Sequence, residues 1–125
     1  MNQQIEKIHA YIDAYNNFDV VKMCQDLAES VVFRNIANDD VNLELDGIEA
    51  FKAQAQQALS FFSERRQTVT KMIERENQVE VLIDYRAVLA IDLPNGLKKS
   101  DTLSLAGRSI FTFANGKIIQ IEDIS

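Results

Sequence analysis

Cysteine and histidine are all but missing from this 125-residue chain, which has Cys24 and His9 and no others of either kind. A lone thiol excludes an internal disulfide framework, so a reducing compartment is the expectation. The ligand spacings that a structural metal site needs are absent as well. A Ser-His-Asp or Cys-His arrangement has no histidine to draw on except His9, which reads as a helix-surface residue, while Cys24 reads as core. The four glycines, Gly47, Gly96, Gly107 and Gly116, are scattered and build no phosphate-cradling loop, which weighs against nucleotide chemistry. Positive charge is short too. A net charge of −6 leaves no basic face to displace counterions from phosphates, so no nucleic-acid partner is expected. Arg65-Arg66 and Lys98-Lys99 are local exceptions, read as solvated strand ends. No apolar run approaches the roughly 18 residues of a membrane span. The opening Met1-Asn2-Gln3-Gln4-Ile5-Glu6 has neither the basic nor the apolar region of a signal peptide. These absences predict a soluble, cytoplasmic protein that uses neither metal nor organic cofactor and does not enter a membrane.

What is present is ordinary globular material. Hydrophobic residues at 46% and charged residues at 26% suffice for one domain over residues 1–125 with a real core and a modest internal pocket. Ile5, Ile8, Ile12 and Tyr15 fall on one stripe of an amphipathic helix over 3–16, with Tyr11 at the stripe's edge. Asp19 is placed to cap a short second helix over about 20–28, with Phe18 and Met23 as a hydrophobic staple. Residues 30–37 read as a first strand and 41–45 as a short second one. Asp46 and Glu49 form a variant capping box ahead of a third helix over about 47–62. Four strands follow, near 65–75, 79–92, 97–113 and 117–125. The last three are separated by Pro94-Asn95-Gly96 and Asn115-Gly116, and Asn-Gly between β-rich runs is a strong hairpin signal. Helices early and a meander late make an α+β pattern with a mostly antiparallel sheet.

Chemistry is sought among polar residues inside apolar strands. Asn35 interrupts Val31, Val32, Phe33 and Ile36; Asp84 and Arg86 lie in the most apolar strand; Arg108 follows Gly107; Asp123 lies among Ile118, Ile119, Ile121 and Ile124. A buried charge is costly unless paired, and an unpaired one shifts its pKa instead. Asp123, if it faces a pocket, is thus a candidate general acid or base, with Arg86 or Arg108 as its natural partner.

Three segments together resemble the nuclear transport factor 2-like superfamily, in particular its SnoaL-like branch. They are Tyr11-Ile-Asp-Ala-Tyr-Asn-Asn-Phe-Asp19, Asp46-Gly-Ile-Glu-Ala-Phe51, and the closing run from Gly107 to Asp123. The resemblance implies a cone: a strongly curved, mostly antiparallel sheet wrapped over three helices, open at one end as a pocket and commonly dimeric through its outer face. Enzymes of this fold include ketosteroid isomerase, limonene epoxide hydrolase, scytalone dehydratase and polyketide cyclases. By position, Tyr11 matches the oxyanion-donor tyrosine of the isomerases, while Asn35 and Arg108 replace or adjoin their two acidic residues. Compared with the epoxide hydrolases, Asn35 matches the water-positioning asparagine, Arg86 the arginine and Asp123 the C-terminal aspartate. Phe33 replaces their tyrosine and Val88 their other aspartate.

The implied catalytic set is Asp123, Arg86, Asn35 and Tyr11, with Arg108, Phe33, Tyr15 and Ile121 around a small, apolar, oxygenated ligand. Two classes of function compete, a cofactor-free lyase, isomerase or hydrolase and a non-catalytic ligand-binding or dimerisation module. A protein–protein adaptor is a third. One conflict stands inside the expectation. The odd positions of 79–92 are wholly apolar, so simple alternation turns them to the core and Arg86 outward. The resemblance turns Arg86 inward and leaves the apolar face for a second subunit. The expectation follows the resemblance.

Overall fold

The computed structural model describes residues 3–94 and 96–125. The chain opens with helix α1 (Gln3–Asn16) and the single turn α2 (Val20–Met23), then strands β1 (Leu27–Ala37) and β2 (Asp40–Asp46). Helix α3 (Ile48–Ala58) and a 3-10 turn (Leu59–Phe61) lead into β3 (Phe62–Glu74), β4 (Gln78–Leu89), β5 (Thr102–Ala114) and β6 (Lys117–Ile124). One open sheet carries all six strands in the order β2-β1-β6-β5-β4-β3, with β2 and β3 as its edges. Every pairing is antiparallel except β1 with β6, which is parallel. The α+β architecture and the element order are those expected from the sequence.

Local signals explain most boundaries. The Asp19 carboxylate accepts from the Lys22 amide at 3.1 Å and starts α2 as expected, but the helix ends after one turn because β1 begins at Leu27. The capping box at Asp46 does not form. Asp46 is the last residue of β2, and the cap of α3 is Gly47, at φ 91°, whose N–H reaches the Val31 carbonyl at 2.8 Å. A carboxylate cannot cap a helix while its backbone is still committed to a strand ladder. Asn115 and Gly116, at φ 53° and 77°, close the β5–β6 hairpin in two residues, joining Ala114 to Lys117 as Asn-Gly predicts. The β4–β5 connection is longer, spanning 90–101; its Asn95 lies outside the described residues, while Gly96 takes φ 95°.

That long connection settles the facing of β4. Residues pair even with even across β4 and β5, from Gln78 with Thr112 to Val88 with Thr102. The odd positions Val79, Val81, Ile83, Ala87 and Leu89 are buried, and Arg86 is exposed. The expectation that Arg86 points inward is therefore corrected. Alternation wins, because the apolar row is covered by the chain's own helices. Ile8, Tyr11 and Ile12 of α1 and Phe51 of α3 pack on Val79, Val81, Phe111, Ile118 and Ile121. Burying each such side chain contributes about 1.5–3 kcal/mol.

A pair of side-chain hydrogen bonds to an edge strand fixes the end of α1. The Asn16 side chain accepts from the Gln67 amide at 2.7 Å and donates to the Gln67 carbonyl at 3.1 Å, pairing with β3 as a further strand residue would. It ties the end of α1 to an otherwise open edge.

Candidate functional site

The parallel pairing of β1 with β6 brings Asn35 opposite Asp123, and the β5–β6 ladder brings Asp123 opposite Ser109. All three point to the helix side of the sheet. They form one row across three strands, next to the apolar row of Phe33, Ile121, Phe111 and Val79. The chain thus interrupts an apolar face with one polar stripe, and the helices arch over it.

Two cavities meet at this stripe. One, of about 320 Å³, runs under α1 and α3 and is walled by Tyr11, Phe33, Phe51, Phe61, Phe62 and Arg65. The other, of about 290 Å³, lies on the side of Ile83, Tyr85, Leu105, Gly107 and Ser109. Tyr15, Asn35 and Asp123 border both, so Asp123 is reachable from two sides. Cavities of this size hold small organic ligands.

Asp123 is the electrostatic centre. Ser109 Oγ donates to its Oδ1 at 2.6 Å. Burial pushes its pKa up to about 6, and the Ser109 hydrogen bond pulls the other way by supporting the charged form. No cation offsets the burial among the described residues. The expected arginine partners do not arrive. Arg108 borders the second cavity, but its guanidinium turns to the outer face and binds Glu80 at 2.9 Å. Arg86 stands on that same outer face, opposite Arg66 and Ser104. The expectation that either arginine holds Asp123 ionised is corrected, and the reason is strand parity: both sit on even positions while the core face of β4 and β5 is odd.

The remaining expected residues fall as follows. Tyr11 is buried, its ring edge-on to Phe111 at 5.5 Å, and burial followed by the nearby Asp123 charge raises its pKa. Asn35 donates Nδ2 to Asn42 Oδ1 at 2.9 Å, which fixes its amide at the cavity border. Phe33 lines the larger cavity, its ring edge-on to Phe51 at 5.8 Å. Tyr15 joins Tyr85 hydroxyl to hydroxyl at 2.8 Å, and burial raises both phenols. Ile121 is fully buried in the core beneath the site. Tyr11, Tyr15, Phe33 and Asn35 thus gather around Asp123, while Arg86 and Arg108 do not. His9 is exposed on α1 and takes no part.

Sequence reasoning missed three residues. Ser109 occupies the odd row of β5 with Phe111 and Phe113, and the alternation that marked Asp123 also marks it. Tyr85 was visible only as one more apolar position. Arg65 was read as a solvated strand end, and that holds for Arg66 but not for Arg65, which is only 6% exposed. Its parity matches Gln67 and Val69, which point inward, and no signal beyond that parity distinguishes it.

Among the described residues no helix is long and apolar enough to cross a membrane, and no three His, Cys, Asp or Glu side chains come together. No curated protein matches the sequence. Solved structures do resemble it. A putative polyketide cyclase, IdmH from Streptomyces antibioticus, superposes with a TM-score of 0.79 at 16% identity, covering 98% of this chain and 91% of that one. TerC co-crystallised with polyporic acid gives 0.79 at 18% identity, with 98% and 91% covered. A nuclear transport factor 2-like protein of unknown function from Burkholderia pseudomallei gives 0.76 at 18%, with 98% and 90% covered. At such identities the likeness establishes the fold. A family model described as a SnoaL-like domain matches residues 8–121, nearly the whole chain. The chain belongs to the SnoaL-like domain family.

Proposed function

We propose that the paired cavities are the active site of a cofactor-free enzyme of the isomerase, cyclase, lyase or hydrolase kind. Its substrate is a small, largely apolar molecule bearing oxygen functions, handled in the cytoplasm. The observation that carries this reading is Asp123, a half-buried carboxyl with no cation beside it among the described residues, held by Ser109 at 2.6 Å and facing two cavities. A titration point near 6 suits a group that must take and return a proton near neutral pH. The ionised form removes a proton or orients a water, and the Ser109 hydroxyl keeps the carboxylate pointed at its target. Tyr11, with its raised pKa, stays protonated and donates to developing oxyanion charge, a role worth roughly 3–4 kcal/mol per donor. Asn35 and Tyr15 position the substrate from the borders of both cavities. IdmH, described as a putative polyketide cyclase, and TerC, co-crystallised with polyporic acid, support the class of reaction and ligand.

The competing reading is a binding module of the same fold whose pocket holds a ligand unchanged. Asn35 standing where isomerases carry a base favours it. A turnover screen of apolar ketones, epoxides, aromatic acids and steroids separates the two. Asp123→Asn should cost about 10²–10⁴-fold in the rate of any hit while the fold is kept. A folded variant with undiminished turnover would remove Asp123 from the mechanism. A second copy of the chain on the outer sheet face completes the proposed state. The odd-position apolar row of β4 is core, so the contact falls on Leu82, Val88 and Ile110, half-buried on the outer face.

A further inference from the structure

Among the described residues, Arg65 is the one buried charge the proposed mechanism does not use. It sits on β3 opposite Ala87, turned to the helix side, and borders both the larger cavity and an outer cleft of about 490 Å³. Its Nε donates to the Tyr15 carbonyl at 2.9 Å. Its guanidinium carbon lies 3.7 Å from the centre of the Tyr15 ring and 4.5 Å from that of Phe18. None of the described carboxylates pairs with it, and its Nη2 is buried with no acceptor. Among the described residues that is the sole buried side-chain polar atom left unmatched.

Part of this arrangement is structural. Helix α1 has no basic residue in its last turn, and Arg65 supplies a cation to one of its final carbonyls. The two rings offset some of the cost of burial through cation–π attraction. Neither interaction needs Nη2, and a capping cation does not need to border a cavity. A guanidinium carries five donors in a planar fork suited to two oxygens on one carbon. An unmatched buried donor is costly, and an incoming acceptor relieves that cost.

We propose that Arg65 is an anion-recognition residue of the larger cavity, selecting apolar ligands that carry a carboxylate or phenolate oxygen. Sliding of the guanidinium between the Tyr15 and Phe18 rings brings Nη2 to the cavity wall. The ligand's apolar body then lies along Phe33, Phe51, Phe61 and Phe62, and its far end reaches Asp123. The inference rests on the proposed site and deepens it by naming the charge of the ligand. The protein's net charge of −6 repels anions in general, so any preference for one must come from this local group.

Two probes of like shape and different charge test it: 2-naphthoate and the neutral 2-acetonaphthone, titrated at pH 7.5 by fluorescence. Wild type should bind naphthoate at least about tenfold more tightly, since charge-assisted bonds exceed neutral ones by that order. Arg65→Met should weaken naphthoate by about tenfold or more and change the ketone by less than about threefold. Arg65→Lys, which keeps the charge and loses the fork, should fall between them. Should the methionine variant not fold, the Arg65 Nε–H resonance of wild type serves instead, shifting with naphthoate and not with the ketone. Equal affinity for the two probes in wild type, no naphthoate binding below about 1 mM, a folded Arg65→Met that keeps the preference, or an unmoved resonance overturns the proposal. These readouts involve no turnover. An inert Asp123 would end the enzymatic reading and leave the anion preference in place.

Discussion

The balance at Asp123 sets what single substitutions do. Ser109 holds the carboxyl's titration point down against burial. Ser109→Ala should therefore move it above its native value of about 6, read directly from the aspartate carboxyl carbon by NMR. A midpoint that stays put or falls would mean the 2.6 Å bond does not support the charged form. The same carboxyl also links stability to pH. Folded Asp123 keeps its proton to about pH 6, whereas an unfolded aspartate releases it near 3.9. The folded state thus binds the extra proton between those values, and stability falls as pH rises through that window. A shift of about two pKa units corresponds to roughly 2–3 kcal/mol lost by pH 7. Asp123→Asn has nothing to ionise. It should match wild type near pH 4 and melt several degrees higher near pH 7, and parallel melting curves at both pH values would contradict this. A residue whose removal strengthens the fold is one the fold did not select.

At the scale of elements, the site depends on how closely β5 and β6 approach. A Cβ placed on Gly107 would lie 2.9 Å from the Ile124 carbonyl oxygen, nearer than real contacts allow, and the obstacle is backbone that cannot swing away. Gly107→Ala should displace the end of β6 next to Asp123 and destabilise by about 1–3 kcal/mol, measured by denaturant unfolding. An unchanged midpoint would show that the strand end gives way freely. This glycine was visible in the sequence only as a gap in an apolar run. Its necessity comes from a neighbour seventeen positions on, as β5–β6 register dictates. The same limit explains why the capping box at Asp46 failed and why the second helix was drawn too long: local signals nominate a start, and the ladder that claims the residue decides. The β4 facing shows the reverse. Strict alternation in the sequence carried the right answer, and analogy to relatives carried the wrong one for Arg86.

For the whole molecule, the family, the element order and the inward set Tyr11, Tyr15, Phe33, Asn35 and Asp123 were legible, because each lies on a strong period or inside a recognisable segment. The burial of Arg65 was not, since two adjacent arginines look alike until an edge strand turns one inward. Assembly between copies is the remaining large-scale proposal. The outer face mixes the ion pairs Arg34–Glu122 and Arg108–Glu80 with Leu82, Val88 and Ile110. Sedimentation should give twice the chain mass at micromolar concentration, and Ile110→Glu should return it to the single-chain value. A wild type that sediments as one chain would dismiss the contact.

The parallel union of β1 with β6 has a consequence for how the protein comes into being. Strands β3, β4 and β5 are successive hairpin neighbours and can pair as soon as each is made. Strand β6 must also find β1, aligning Arg34 with Glu122, residues 88 positions apart. Contacts so distant along the chain are slow to form, because the loop must close before any gain is realised. Asp123 travels on that last strand. A nascent or clipped chain lacking β6 could hold a sheet and part of a core, yet it would contain neither the carboxyl nor the seam that shelters it. The candidate site is assembled only when β6 has met β1.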